Sequence, residues 1–347
     1  MFDIDQSIIG DVDVNLAAAL LMGGVLIMTL WRSRSGKKAD TIFLFMVIAA
    51  FVGAVAGLVI AFFEGPESPG SLALVVSIET ILELSITIQL FFLLLYVFLT
   101  IHDNRDYLIR RMKFYMIPLV ILIVLSIVNI FTGIIWYYDG NKMYHEMGLY
   151  TVYNLIRYLY LILAIYQYAR YRKENGQARF FSIWFYLVPI LWGTILEWVT
   201  PISGFILGNA IANVILFIMI SQKVGFTDEG SGFFNIRYLK LLSEKIKAGE
   251  YEPHLLIRYH LPEKKDLSDF FRMLKEILPD QCDTVKLDDT NCITVIYGDT
   301  RGLINMLSED IRMISEELCL NIEFDYVVKQ RDETPVKFFE KNVVIGG

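Results

Sequence analysis

Seven stretches of this chain read as membrane spans: Asn15–Trp31, Thr41–Phe63, Ser71–Thr100, Phe114–Trp136, Gly148–Tyr168, Phe180–Trp198 and Ile202–Ile220. A span needs about 20 mainly apolar residues, because the hydrocarbon core is about 30 Å thick and a helix rises about 1.5 Å per residue. The first stretch is short, and the third is long enough to tilt or to run on beyond the bilayer. The expectation is an α-helical membrane bundle of seven spans over residues 1–222, followed by a separate α/β domain over residues 223–347.

Charge separates the same two parts. Up to Gly225 there are 15 Lys+Arg and 15 Asp+Glu, whereas the remainder holds 16 against 23 and so carries the whole net charge of -7. An acidic tail argues against nucleic acid as a partner, since phosphate binding needs a basic surface. The start, MFDIDQSIIGDVDVN, lacks a basic n-region, so no cleavable signal peptide is expected. Cys282, Cys292 and Cys319 all lie in the tail without a CxxC spacing and read as reduced thiols. The four histidines show no metal-ligand spacing, and neither a metal nor another cofactor is expected.

Loop charges give an orientation. The loops after spans one, three and five hold Arg32, Arg34, Lys37, Lys38, Arg105, Arg110, Arg111, Lys113, Arg170, Arg172, Lys173 and Arg179. The opposite side holds Lys142 and an array of acids, including Asp11, Glu64, Glu67, Asp139 and Glu146. By the positive-inside rule the N-terminus is outside and the tail is in the cytosol, in a cell inner membrane. Trp136, Tyr137, Tyr138 and Trp198 fall where an outer aromatic belt is expected.

Polar residues inside spans are costly and need a reason. Glu79 and Glu83 lie one turn apart on span three, and Tyr150, Tyr153, Asn154, Arg157 and Tyr160 share a face of span five. Glu197 ends span six, Asn209 and Asn213 lie one turn apart on span seven, and Asn129 is in the outer part of span four. All fall in the outer half. The functional reading is an outward-open pocket for a small polar ligand, built from Glu79, Glu83, Tyr153, Asn154, Arg157, Glu197, Asn209 and Asn213. The structural alternative is an internal ion pair of Arg157 with Glu79 or Glu83 that only holds the bundle together. A transporter would call for an inverted repeat or paired broken spans, and neither is visible.

The tail alternates elements. A helical face begins near Phe234 and continues through Tyr238, Leu241, Leu242 and Ile246. HLLIRYHL reads as a strand, and DLSDFFRMLKEIL as a helix with Asp266 as N-cap. DTVKLDDTNCITVIYG reads as a hairpin turning at Asp288-Asp289-Thr290-Asn291. RGLINMLSEDIRMISEEL reads as a helix and LNIEFDYVVKQ as a strand. The order β-α-β-β-α-β predicts a ferredoxin-like sheet with an extra N-terminal helix.

Asp228-Glu229-Gly230-Ser231-Gly232-Phe233-Phe234-Asn235-Ile236-Arg237 resembles the opening motif D-x-L-T-G-L-x-N-R-R of bacterial GGDEF domains, and sits where those domains begin, just after the last span. The resemblance covers Phe226 to about Val344. It implies a diguanylate cyclase that makes cyclic di-GMP from GTP. The residues depart from that family where its chemistry lies. Arg258 falls on the family's metal-binding aspartate. Pro262-Glu263-Lys264-Lys265 shortens the guanine-contacting loop. Asp288-Asp289-Thr290-Asn291-Cys292 replaces G-G-D-E-F, removing the glycines that admit phosphate and the acidic pair that binds metal. The family's product-binding R-x-x-D would fall on Pro279 and Cys282 and is absent. Asp288 and Asp289 read as turn formers. With no catalytic residue legible, the expectation is a membrane receptor or scaffold whose silent GGDEF-like domain acts through a cytosolic protein partner or self-association. The competing class is the cyclase.

Overall fold

The computed structural model describes residues 2–32, 38–65, 68, 71–101, 105–175, 181–200, 204–228, 230–263, 266–279, 281–297 and 302–343. Arg34, Lys37, Glu67, Arg179, Glu229, Lys264 and Lys265 lie outside them. The chain divides into two compact units, Met1–Ile220 and Ser221–Gly347.

The first unit is helical: α1 Phe2–Arg32, α2 Lys38–Phe63, α3 Leu72–Ile101, α4 Arg105–Thr132, α5 Gly148–Asn175, α6 Ile183–Val199 and α7 Gly204–Gly225. Six of these, all but α6, are long and apolar enough to cross a membrane. Apolar side chains left outward on them, such as Leu20, Phe114, Ile117, Phe131 and Leu155, suit hydrocarbon rather than water. This is the helical unit of a multi-pass membrane protein. The helix α3 is central: it packs against α2, α4 and α5 and buries Glu79, Glu83, Thr87 and Gln89 as well as apolar residues.

Two expectations change here. The first helix starts well before Asn15, so Asp11 is helical rather than part of a loop. The fourth helix ends at Thr132, and Trp136 lies in a hairpin instead, β1 Trp136–Tyr138 paired antiparallel with β2 Tyr144–Glu146. Asn129 makes that exit. Its Oδ1 accepts from the Ile135 N–H at 2.7 Å and its Nδ2 donates to the Trp136 carbonyl at 2.9 Å. Trp136 and Tyr138 are thereby buried rather than placed in an aromatic belt, while Trp198 is 83% exposed.

The approach of α6 to α7 is set by glycine. A Cβ on Gly193 would lie 2.4 Å from the Gly204 carbonyl oxygen, and one on Gly208 would lie 2.4 Å from that of Pro189. Only residues without side chains permit backbones this close, the small-residue contact common between membrane helices.

The second unit is a mixed α/β domain. Its elements are β3 Phe234–Asn235, α8 Ile236–Lys247, β4 Pro253–His260, α9 Ser268–Ile277, β5 Cys282–Lys286, β6 Asn291–Tyr297, α10 Leu303–Glu317, β7 Glu323–Val328 and α11 Pro335–Asn342. The sheet order is β3-β5-β6-β4-β7, antiparallel except for β3 beside β5. Leu255, Ile257 and Tyr259 of β4 pack with Phe270 and Phe271 of α9 and Leu307 and Ile311 of α10. Successive strand residues alternate faces, and α8 and α11 cover the other one. There Tyr238 and Tyr297 both donate to Asp283 Oδ2, at 3.1 and 2.8 Å.

Two boundaries differ from expectation, and one helix is additional. Phe234 belongs to a strand, because Asn235 caps the helix by accepting from the Arg237 N–H at 3.1 Å. Phe234 still stacks on Tyr238, with ring centroids 3.9 Å apart. The helix after Pro262 opens at Ser268 with Leu267 at the cap position; Asp266 stands one residue earlier and accepts from the Ser268 N–H at 3.0 Å. The helix α11 was not foreseen, although Thr334-Pro335 is a start signal, with Thr334 Oγ1 accepting from the Lys337 N–H.

Candidate functional site

The C-terminal ends of α2, α4 and α6, the N-terminal ends of α3, α5 and α7, and the β1–β2 hairpin come together at one end of the helical unit. The hairpin is fixed over this end. Lys142 donates from Nζ to Ser68 Oγ at 2.6 Å, and its carbonyl accepts from the Gly65 N–H at 3.2 Å. Asp139, at the turn, accepts from the N–H groups of Asn141 and Met143, which holds its carboxyl below the usual carboxylate range.

Beneath the hairpin lies a cavity of about 620 Å³. Its walls include Glu79, Glu83, Asn154, Arg157 and Glu197, five of the eight residues expected there. Arg157 pairs with Glu83, and both are almost fully buried. Tyr150 donates to the other oxygen of Glu83 at 3.2 Å. Glu79 accepts from Tyr138 on the hairpin at 3.0 Å. Glu197 accepts from the Phe205 N–H at 3.1 Å, so it caps the start of α7 as well as lining the cavity.

The other three expected residues lie elsewhere. Tyr153 is enclosed beside the cavity, its hydroxyl 2.9 Å from Ser126 Oγ and 3.4 Å from Thr87 Oγ1. Asn209 exchanges two hydrogen bonds of 2.7 Å with Gln89, and Gln89 also donates to Tyr186 at 3.0 Å. Asn213 donates to the Asn209 carbonyl at 2.8 Å. This is a packed polar layer tying α3, α6 and α7 together, away from the large cavity.

Asp11, Asn15, Glu64, Tyr138, Tyr144 and Glu146 line the cavity and were not anticipated. For the two tyrosines a signal existed: alternating aromatics around Asp139-Gly140 mark a hairpin. The acids looked like ordinary loop charges. Among the described residues the wall thus holds six carboxyl groups, those of Asp11, Glu64, Glu79, Glu83, Glu146 and Glu197, and one base, Arg157. Burial pushes the Glu64 carboxyl above its ordinary range, opposed by the Tyr144 N–H that it accepts. Burial and the charge of Glu83 act the same way on Glu146, and burial also raises the hydroxyls of Tyr138 and Tyr144.

In the tail, the opening stretch is a tight turn. Asp228 accepts from the N–H and Oγ of Ser231 at 2.8 and 2.7 Å, and Gly232 adopts φ +72°. The hairpin turn is also closed by its first aspartate. Asp288 Oδ1 accepts from the Thr290 N–H at 2.8 Å and from Asn291 Nδ2 at 2.9 Å, while Asp289 is fully exposed. Lys286 lies between the two turns, 3.8 Å from Asp228 and 3.4 Å from Asp289. Cys292 is buried, which pushes its thiol up to about 12. Arg258 pairs with Asp325 on the neighbouring strand at 3.0 Å. None of the three cysteines forms a disulfide. Among the described residues no three His, Cys, Asp or Glu side chains are grouped to hold a metal.

No protein-family model matches the chain, and no curated protein matches it.

Proposed function

We propose that the protein is a membrane receptor that binds a small ligand from outside and relays the event through a catalytically silent GGDEF-like cytosolic domain. The observation that carries this reading is the cavity. Five costly polar residues from three helices meet around about 620 Å³ of open space rather than closing into a solid core. In this reading α6 is a seventh span. Its 17 residues rise about 26 Å, close to the thickness of the hydrocarbon core. Seven spans carry the tail to the side opposite the N-terminus, and the loop charges place the hairpin end outside.

Support for the GGDEF-like reading comes from the tail's topology. The strands β4, β5, β6 and β7 follow the β-α-β-β-α-β order, with β4 and β6 central, as in a ferredoxin-like sheet. The turn at Asp228 also lies beside the hairpin turn through Lys286. Support for silence comes from how the aligned residues are used. Arg258 is engaged with Asp325, and the Asp288 carboxylate is consumed within its own turn. Among the described residues no carboxylate cluster offers two-metal phosphoryl transfer a site.

The test has two parts. Cysteines at Asn141 and Asn154 should react with a membrane-impermeant maleimide from outside, and one at Lys173 only after permeabilisation; the opposite pattern overturns the orientation. Full-length protein in nanodiscs, given GTP with Mg²⁺ or Mn²⁺, should make no cyclic di-GMP. Robust product would establish the cyclase instead.

A further inference from the structure

We infer that the ligand is a small organic cation, a protonated primary or secondary amine; this rests on the receptor reading above and names its ligand class. Charge is the first reason. Among the described residues six carboxyl groups face the cavity, and the one guanidinium with them is already committed to Glu83. Glu79 is 7% exposed, and its only hydrogen bond among the described residues comes from a neutral hydroxyl, that of Tyr138. A buried carboxyl without a cation either takes up a proton or bears the cost of an unpaired charge, and an ammonium group in the cavity supplies the partner that keeps it ionised.

The second reason is the balance of donors and acceptors. Asn15 is 1% exposed, lines the cavity, and its Oδ1 has no donor among the described residues. Asn154 Oδ1, also in the wall, has none either. What this wall needs is N–H groups. Primary and secondary ammonium ions bring them and quaternary ones do not. Two donors in the wall are also unmatched among the described residues, Arg157 Nε and the Tyr144 hydroxyl, which leaves a place for an acceptor such as a hydroxyl on the same ligand.

Size and wall chemistry narrow the class further. The rings of Tyr138, Tyr144, Tyr150 and Tyr158 line the space, and tyrosine faces attract organic cations. A cavity of about 620 Å³ suits a small molecule, where a bare ion would rattle. The carboxylates are spread around the wall and not clustered for metal ligation.

The probes are two isosteric series: tyramine, 4-hydroxyphenethyl alcohol and 4-hydroxyphenylacetate; and putrescine, 1,4-butanediol and succinate. Full-length protein in nanodiscs is titrated with each by calorimetry and thermal unfolding at neutral pH. At least one amine should bind saturably, tenfold or more tighter than its alcohol counterpart, and Glu79→Gln should weaken it by tenfold or more. If that variant does not fold, the amine-to-alcohol ratio on the unaltered protein decides. Equal binding of an alcohol or an acid overturns the amine assignment and leaves a receptor of another ligand class. Binding by none of the six also overturns it. The receptor reading itself falls if a cysteine at Asn154 is closed to reagents from outside, a result independent of the six probes.

Discussion

Tyr138 on the hairpin donates its hydroxyl to the Glu79 carboxylate across 3.0 Å, so a strand outside the helices is latched to a buried acid on α3. The latch joins the cover of the cavity to its floor. A ligand that engages Glu79 competes for, or reinforces, the bond that holds the cover. Tyr138→Phe keeps the ring packing and removes only this donor. It should cost about 1–2 kcal/mol, because the buried carboxylate loses its hydrogen bond. A lower Tm and faster maleimide labelling at Asn141 are the expected readouts; an unchanged labelling rate would mean that the bonds from Lys142, Gly65 and Asn129 hold the hairpin without this latch.

The ion pair between Arg157 and Glu83 makes a sharper prediction. Both partners are buried, so removing one strands the other. Arg157→Met should destabilise the protein by about 3–5 kcal/mol, and Arg157→Met with Glu83→Leu should recover much of that loss. Thermal unfolding in detergent measures both. A double variant as unstable as the single one would show that the pair is not the coupled unit.

At the crossing of α6 and α7, Gly208→Val drives a side chain into the Pro189 carbonyl, against which even a Cβ would stand at 2.4 Å. The cost should be about 1–3 kcal/mol or more, and the variant should lose monodispersity on size exclusion. Gly24→Ala, with nothing within 4 Å of the added Cβ, is the matched control and should be neutral or slightly stabilising. Tolerance of the valine would mean that α6 and α7 do not sit this close in the membrane.

The two turns of the tail predict an acid limit. Burial alone would raise Asp228 and Asp288, but the hydrogen bonds from Ser231, and those from Asn291 and Thr290, prevail and lower both. A carboxyl lowered in the folded state contributes stability above its ordinary value, near 3.9, and loses it as pH falls through the lowered one. Asp288 is exposed and Asp228 is half-buried, so solvent screening keeps the effect small. Amide exchange over residues 230–233 and 289–291 should therefore accelerate as pH falls below about 4, after correction for the intrinsic rate. Asp228→Asn and Asp288→Asn should flatten that dependence, each in its own turn.

What was legible in the sequence follows from which forces are local. Spans were readable because hydrocarbon demands long apolar runs, and five of the six long helices lie close to where hydropathy put them. The strands of the tail were readable from alternation, and Asp288 as a turn former from its residue type. Helix starts at Ile236 and Ser268 were displaced because capping is decided by a single side-chain bond, which periodicity does not register. The hairpin was misread as an aromatic belt because Trp136 and Tyr138 are apolar enough for either place.

The sequence by itself determined that this chain has an apolar helical part and an acidic α/β tail, and that several polar groups must be hidden among the helices. That much depends on composition and period, which neighbouring residues settle among themselves. Tertiary structure decided which polar groups share a space. It brought Asp11, Asn15, Glu64 and Glu146 to the wall that holds Glu79 and Arg157, and engaged Asn209 with Gln89 and Asn213 with Asn209 instead. Spacing along one helix says which residues share a face, but the neighbour that face meets is set by how distant helices pack. The sum of charges around the cavity, and with it the chemistry the cavity can accept, exists only after that packing.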